Sequence, residues 1–132
     1  MTLKSDAAGE TLARRLSAVG VRTEEEFLNR AATATSRDQL SRLTGIDAAR
    51  LFTWVTRVDL MRICGIGPQY ATLLHSAGVD TVQDLARQNV ANLAEVLAVV
   101  VARMNRPKIA PAEPQVASWI DQAKRLQPKV SY

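Results

Sequence analysis

Gly65-Ile66-Gly67-Pro68-Gln69-Tyr70-Ala71 is the stretch on which the fold and the candidate site both depend. Two glycines permit a tight turn with no Cβ in the way of an approaching ligand. Ile66 is expected to point inward and tie the flanking helices together. Pro68 is pre-set for the first position of a helix. The product is a helix N-terminus with free backbone N–H groups and a partial positive charge, which suits phosphate oxygens.

The stretch sits in the second of two copies offset by 20 residues. Leu40-Ser-Arg42-Leu-Thr-Gly45-Ile46 matches Leu60-Met-Arg62-Ile-Cys-Gly65-Ile66. Each copy reads as a short helix, a glycine turn and a further helix, Ala48 to Val58 in one and Pro68 to Ala77 in the other. A second repeat has an offset of 58. Leu16-Ser-Ala-Val-Gly20-Val21-Arg-Thr23-Glu-Glu-Glu26-Phe27 matches Leu74-His-Ser-Ala-Gly78-Val79-Asp-Thr81-Val-Gln-Asp84-Leu85. A helix ends at a glycine able to turn left-handed, an apolar residue plugs the core, and a threonine caps the next helix with an acid three residues on. Repeated helix–turn–helix units in one small chain predict a compact all-α array in which no unit buries its own core.

The remaining pattern agrees. Leu12, Leu16 and Val19 share a helical face, as do Leu51, Trp54, Val55 and Val58. Residues 1–8 read as a tail and residues 9–104 as the helical domain. Residues 105–112 read as a linker, because Pro107 and Pro111 interrupt any helix. Residues 113–127 read as a C-terminal helix packed on the same domain, with Val116, Trp119, Ile120 and Ala123 as its apolar stripe. No alternation of apolar and polar residues is long enough for a strand.

The chain has 132 residues, 47% of them hydrophobic and 23% charged, which is a globular composition. Its longest apolar run, Val96 to Ala102, is far short of the ~20 residues of a membrane span. The first residues lack the apolar core of a signal peptide. One cysteine, Cys64, excludes an internal disulfide, and one histidine, His75, removes most histidine metal and triad chemistry. A cytoplasmic protein without metal or cofactor is expected. No nucleophile–base pair or nucleotide loop suggests an enzyme, and Gly65-Ile66-Gly67 lacks the strand and third glycine of a dinucleotide fingerprint.

The hairpin resembles the helix-hairpin-helix superfamily. Further along, Trp54 to Gly67, Tyr70 to Leu74, Ala77 to Leu85 and Pro114 to Lys124 look like an uncharacterised bacterial domain-of-unknown-function family of tandem helix-hairpin-helix proteins, over roughly residues 10–126. The resemblance implies tandem helix-hairpin-helix repeats. It also implies sequence-independent contact with duplex phosphates through the N–H groups of Gly65, Gly67 and Tyr70. A monovalent cation held on the carbonyls of Met61, Ile63 and Ile66 is a further implication. Two departures stand out. Asp47 replaces the second glycine of the first copy, where it is expected to cap the helix starting at Ala48. The segment Asp6 to Ala13 holds a degraded hairpin.

The candidate nucleic-acid residues are Gly65, Ile66, Gly67, Gln69 and Tyr70, with Arg62, Arg57 and Arg42 as cations. Arg42 and Arg62 occupy equivalent positions and read either as phosphate clamps or as solvated arginines over apolar neighbours. Tyr70 reads as packing or as a stacking ring. Cys64 is expected to be small and buried, His75 to lie at the surface, and Trp54 and Trp119 in the core. Glu24-Glu25-Glu26 reads as helix first-turn acids. The net charge is +4, drawn from +3 over residues 30–70 and +4 over residues 101–132 against −1 and −2 elsewhere. Weak, sequence-independent binding of double-stranded DNA is therefore the first functional expectation. A protein-interaction module is the second.

Overall fold

A computed structural model describes residues 7–104 and 110–131, with side chains from residue 12 onward. Its secondary structure is helical: α1 (Ala7–Ser17), α2 (Glu24–Arg30), α3 (Ala34–Thr44), α4 (Ala48–Leu60), α5 (Pro68–Ser76), α6 (Val82–Ala86), α7 (Val90–Arg103) and α8 (Glu113–Arg125). No strand occurs among the described residues, so the chain is all-α as expected. Ala7 and Ala8, expected in a tail over residues 1–8, open α1; residues 1–6 lie outside the described residues. Of the expected linker, Asn105 to Ile109 lie outside them too, and Ala110 to Ala112 lead into α8 without helix.

The 58-residue repeat is reproduced in backbone geometry. Gly20 and Gly78 have φ of 89° and 88°. The N–H of Val21 donates to the Leu16 carbonyl at 2.9 Å, and that of Val79 to Leu74 at 2.8 Å. Thr23 accepts from the Glu26 N–H at 3.1 Å and Thr81 from the Asp84 N–H at 3.0 Å. Each acid then reaches back to the residue before the threonine, Glu26 to the Arg22 N–H at 3.1 Å and Asp84 to the Asp80 N–H at 3.4 Å. These bonds join residues three to five positions apart, so equal local sequence gives equal local structure. Val19 departs from expectation. It falls past the end of α1 and is half-buried, and Val21 is the residue that fills the core.

The chain divides into two compact units. The first runs to Asp59 and includes the residues from Pro128 onward; the second is Leu60–Gln127. In the first unit α2 packs on α3. The Phe27 and Trp54 rings meet at 5.2 Å between centroids. The C-terminal residues return to this unit. The Ser131 N–H donates to the Ala32 carbonyl at 2.7 Å, and Val130 is buried. Arg37, also buried, donates to the carbonyls of Ala31 and Ser131, each at 2.8 Å, and its guanidinium lies 5.1 Å from the centre of the Phe52 ring.

In the second unit α5 packs on α7, and α8 packs on both α6 and α7. The core joins Leu60, Ile63, Ile66, Leu73, Leu74, Leu85, Leu97 and Trp119. α8 starts with Pro114 in its first turn and buries Val116, Trp119, Ile120 and Ala123, the stripe that three- and four-residue spacing predicts.

Candidate functional site

The glycine turn before α5 is shaped by two buried isoleucines. Ile63 and Ile66 are both in the core, the first donating its N–H to Leu60 and the second to Ile63, each at 3.1 Å. Arg62 to Cys64 therefore form turns. A short helix was expected there, by analogy with Leu40 to Thr44, which do end α3 with Gly45 as a left-handed cap. The Ile63 carbonyl, one of those expected to face a cation, is occupied by the Ile66 N–H.

Gly65 has φ of +96°, which a residue with a Cβ rarely adopts. A Cβ there would stand 3.0 Å from Nε1 of Trp119. The space was expected to admit a ligand; the indole from α8 occupies it instead. Gln122, three residues further along α8, grips the same turn. Its Oε1 accepts the Cys64 N–H at 2.9 Å and its Nε2 donates to the Cys64 carbonyl at 3.3 Å. That grip holds the backbone of Cys64 at the rim, so the thiol expected in the core is exposed. Tyr70 is half-buried and packs on Trp119, 5.1 Å between ring centres.

Gly67 is different. Its φ of −98° and ψ of −171° are open to any residue, and nothing lies within 4 Å of a Cβ built there. The fold does not require a glycine at this position. Gly67 is the N-cap of α5 and offers no side chain to the first turn, whereas Thr23, Thr33, Thr81 and Asn89 each accept an N–H at the starts of α2, α3, α6 and α7. Pro68 has no N–H, and the Ala71 N–H returns to the Gly67 carbonyl at 2.9 Å. The N–H groups of Gln69 and Tyr70 have no intrahelical acceptor and no capping side chain. In the first copy the same place is closed as expected, with Asp47 accepting the Ala49 N–H at 3.1 Å.

The cations divide between the units. Arg62 is half-buried and donates to the Gln127 carbonyl at 3.0 Å, so it serves the fold at the turn's edge. Arg125 follows Gln122 by three positions on α8, hence on the same side of that helix; it is exposed and paired with Asp121 at 3.2 Å. Arg42, exposed on α3, and Arg57, half-buried on α4, belong to the first unit. Of the basic residues behind the +4 charge of residues 101–132, Arg106 and Lys108 lie outside the described residues. The second unit thus brings together Arg62, Gly65, Ile66, Gly67, Gln69 and Tyr70 with Trp119 and Gln122. Sequence reading missed the part played by Gln122, because nothing in the spacing pairs it with a turn 58 residues away.

The other singled-out residues find structural places. Trp54 and Trp119 are buried. His75 is exposed and bonds the Asp80 carboxylate. Burial pushes the Glu24 carboxyl above its ordinary range. Among the described residues no group of three or more His, Cys, Asp or Glu is placed to hold a metal, and no helix is long and apolar enough to cross a membrane.

No curated protein and no solved structure matches the chain. One family model does, over residues 7–126, from the start of α1 to just past the end of α8. Nearly the whole chain is covered, and the protein therefore belongs to the family described as domain of unknown function (DUF4332).

Proposed function

We propose that the protein binds the backbone of double-stranded nucleic acid, without reading sequence, through a helix-hairpin-helix turn centred on Gly67. The observation that carries this reading is a glycine that the backbone does not need. Gly67 leaves the first turn of α5 uncapped, as Ala112 leaves that of α8, where α2, α3, α6 and α7 use threonine or asparagine. Uncapped N–H groups and the helix dipole favour an anion, and a phosphate diester presents two oxygens to them. Arg62 adds positive charge on the same unit, while Ile66 anchors the turn from below. Phosphate contacts position a protein on a duplex without specifying a base. A single turn implies affinity in the micromolar range or weaker, falling with salt.

The test is a Gly67→Asp variant titrated with a fluorescent duplex at low salt. Aspartate is a good N-cap, as Asp47 is in the first copy, so the fold is retained. Its carboxylate then covers the N–H groups and repels phosphate. Wild-type binding that weakens with salt, lost in Gly67→Asp, supports the reading. No wild-type binding at tens of micromolar protein, or equal binding by the variant, overturns it.

A protein-interaction module is the second reading. Its support is that much of the turn is engaged internally: Cys64 by Gln122, Ile66 by Ile63, and Arg62 by Gln127. A pulldown from nuclease-treated lysate separates the two, since a partner lost on nuclease treatment is held through nucleic acid.

A further inference from the structure

Helix α7 is apolar on both sides. Leu93, Leu97 and Val101 fill the core of the second unit. The opposite face carries Ala91, Asn92, Glu95, Val96, Ala98, Val99, Ala102 and Arg103, all exposed, with Val96 and Val99 at 44% and 48%. A surface helix ordinarily sets charged and polar residues there, and one that is apolar all round is ordinarily covered. Three polar side chains remain on that face. Glu95 and Arg103 stand four positions to either side of Val99, each about 6 Å along the axis from it. Neither forms an ion pair with another described side chain.

We propose that the outer face of α7 is a self-association surface, on which a second copy of this chain packs its own α7 in antiparallel sense about a two-fold axis at Val99. An isologous contact requires a patch complementary to itself. This one qualifies by charge. Reversing the helix about Val99 brings Glu95 of each copy to the level of Arg103 of the other, giving two equivalent ion pairs beside a seam of Val96, Val99 and Ala102. The alanines let the two helices approach closely. A helix of 14 residues is about 21 Å long, so the patch is well below the roughly 800 Å² per partner of a stable complex. The dimer is accordingly weak and dissociates at low concentration. The proposal is independent of the nucleic-acid reading.

Sedimentation equilibrium of the full chain, freed of nucleic acid and run from about 10 μM to 1 mM, tests it. A monomer–dimer equilibrium is expected in wild type. Val99→Glu abolishes it, with helicity checked by circular dichroism because this side chain is exposed. Glu95→Arg and Arg103→Glu each weaken association about tenfold, since two attractive pairs become repulsive. The double variant Glu95→Arg/Arg103→Glu restores it, and that rescue marks an antiparallel self-contact. A monomer throughout the range overturns the proposal, as does a dimer indifferent to Val99→Glu or a double variant no better than the singles.

Discussion

Replacing each glycine of the turn by alanine separates what the fold requires from what it leaves open. At Gly65 the left-handed backbone costs a residue with a Cβ about 1–2 kcal/mol. The new methyl also meets Trp119 Nε1 at 3.0 Å, and the indole, 1% exposed, has no room to retreat. Such overpacking costs about 1–3 kcal/mol, while the stiffer unfolded chain returns about 0.4–1 kcal/mol. Gly65→Ala is therefore expected to destabilise the second unit by about 2–4 kcal/mol. At Gly67 φ is ordinary and the space is empty. Alanine is a poorer N-cap than glycine by about 0.5 kcal/mol, and the entropy gain offsets it, so the net change is within about 0.5 kcal/mol. Urea titration followed by Trp119 emission, in a Trp54→Phe background, reports the second unit. A Gly65→Ala midpoint equal to wild type, or an equal loss at the two glycines, refutes the reasoning.

Other outcomes follow from single contacts. Gln122→Ala removes both bonds to the Cys64 backbone and is expected to cost about 1–2 kcal/mol in the same titration, with faster exchange of the Cys64 amide. Thr23→Ala and Thr81→Ala are each expected to cost about 1 kcal/mol by thermal unfolding, and by similar amounts, because the two caps have the same geometry. Arg37→Lys loses the fork that reaches two carbonyls and is expected to cost about 1–3 kcal/mol in urea unfolding. Glu24→Gln tests the effect of burial on charge. A carboxyl raised in the folded state holds its proton more tightly there, so its favourable contribution is present at low pH and is lost as pH rises through the folded value. The variant is expected to gain a few tenths of a kcal/mol at pH 7 and nothing near pH 3, read from paired melting curves.

What was legible in the sequence was local. The glycine–apolar–threonine–acid pattern at residues 20–26 and 78–84 specifies its own bonds within a few residues, and both copies fold alike. The start of α8 follows from Pro114 and its stripe from helical spacing. The start of α3 was not marked, although Thr33 and Ser36 form a reciprocal cap there; serine in place of the usual glutamate or glutamine hid the capping box. Gly65 and Gly67 looked alike in sequence. They differ because one lies against Trp119 and the other against nothing, and a contact from residue 65 to residue 119 has no local signature. The buried Arg37 was equally hidden, since its acceptors at Ala31 and Ser131 are carbonyls, which every residue carries. The exposed face of α7 was visible only as a long apolar run, whose covered and uncovered sides need packing to distinguish.

The bond from Arg62 to the Gln127 carbonyl has a consequence for how the molecule can be divided. The chain passes into the second unit at Leu60 and leaves it at Gln127, returning to finish the first. Arg62 ties the two crossing points side by side. Residues 60–127 are thus a cassette whose ends already meet, the arrangement that tolerates excision, circular permutation or transplantation into a surface loop of another protein. The glycine turn travels whole with it, together with the helix that holds it in shape.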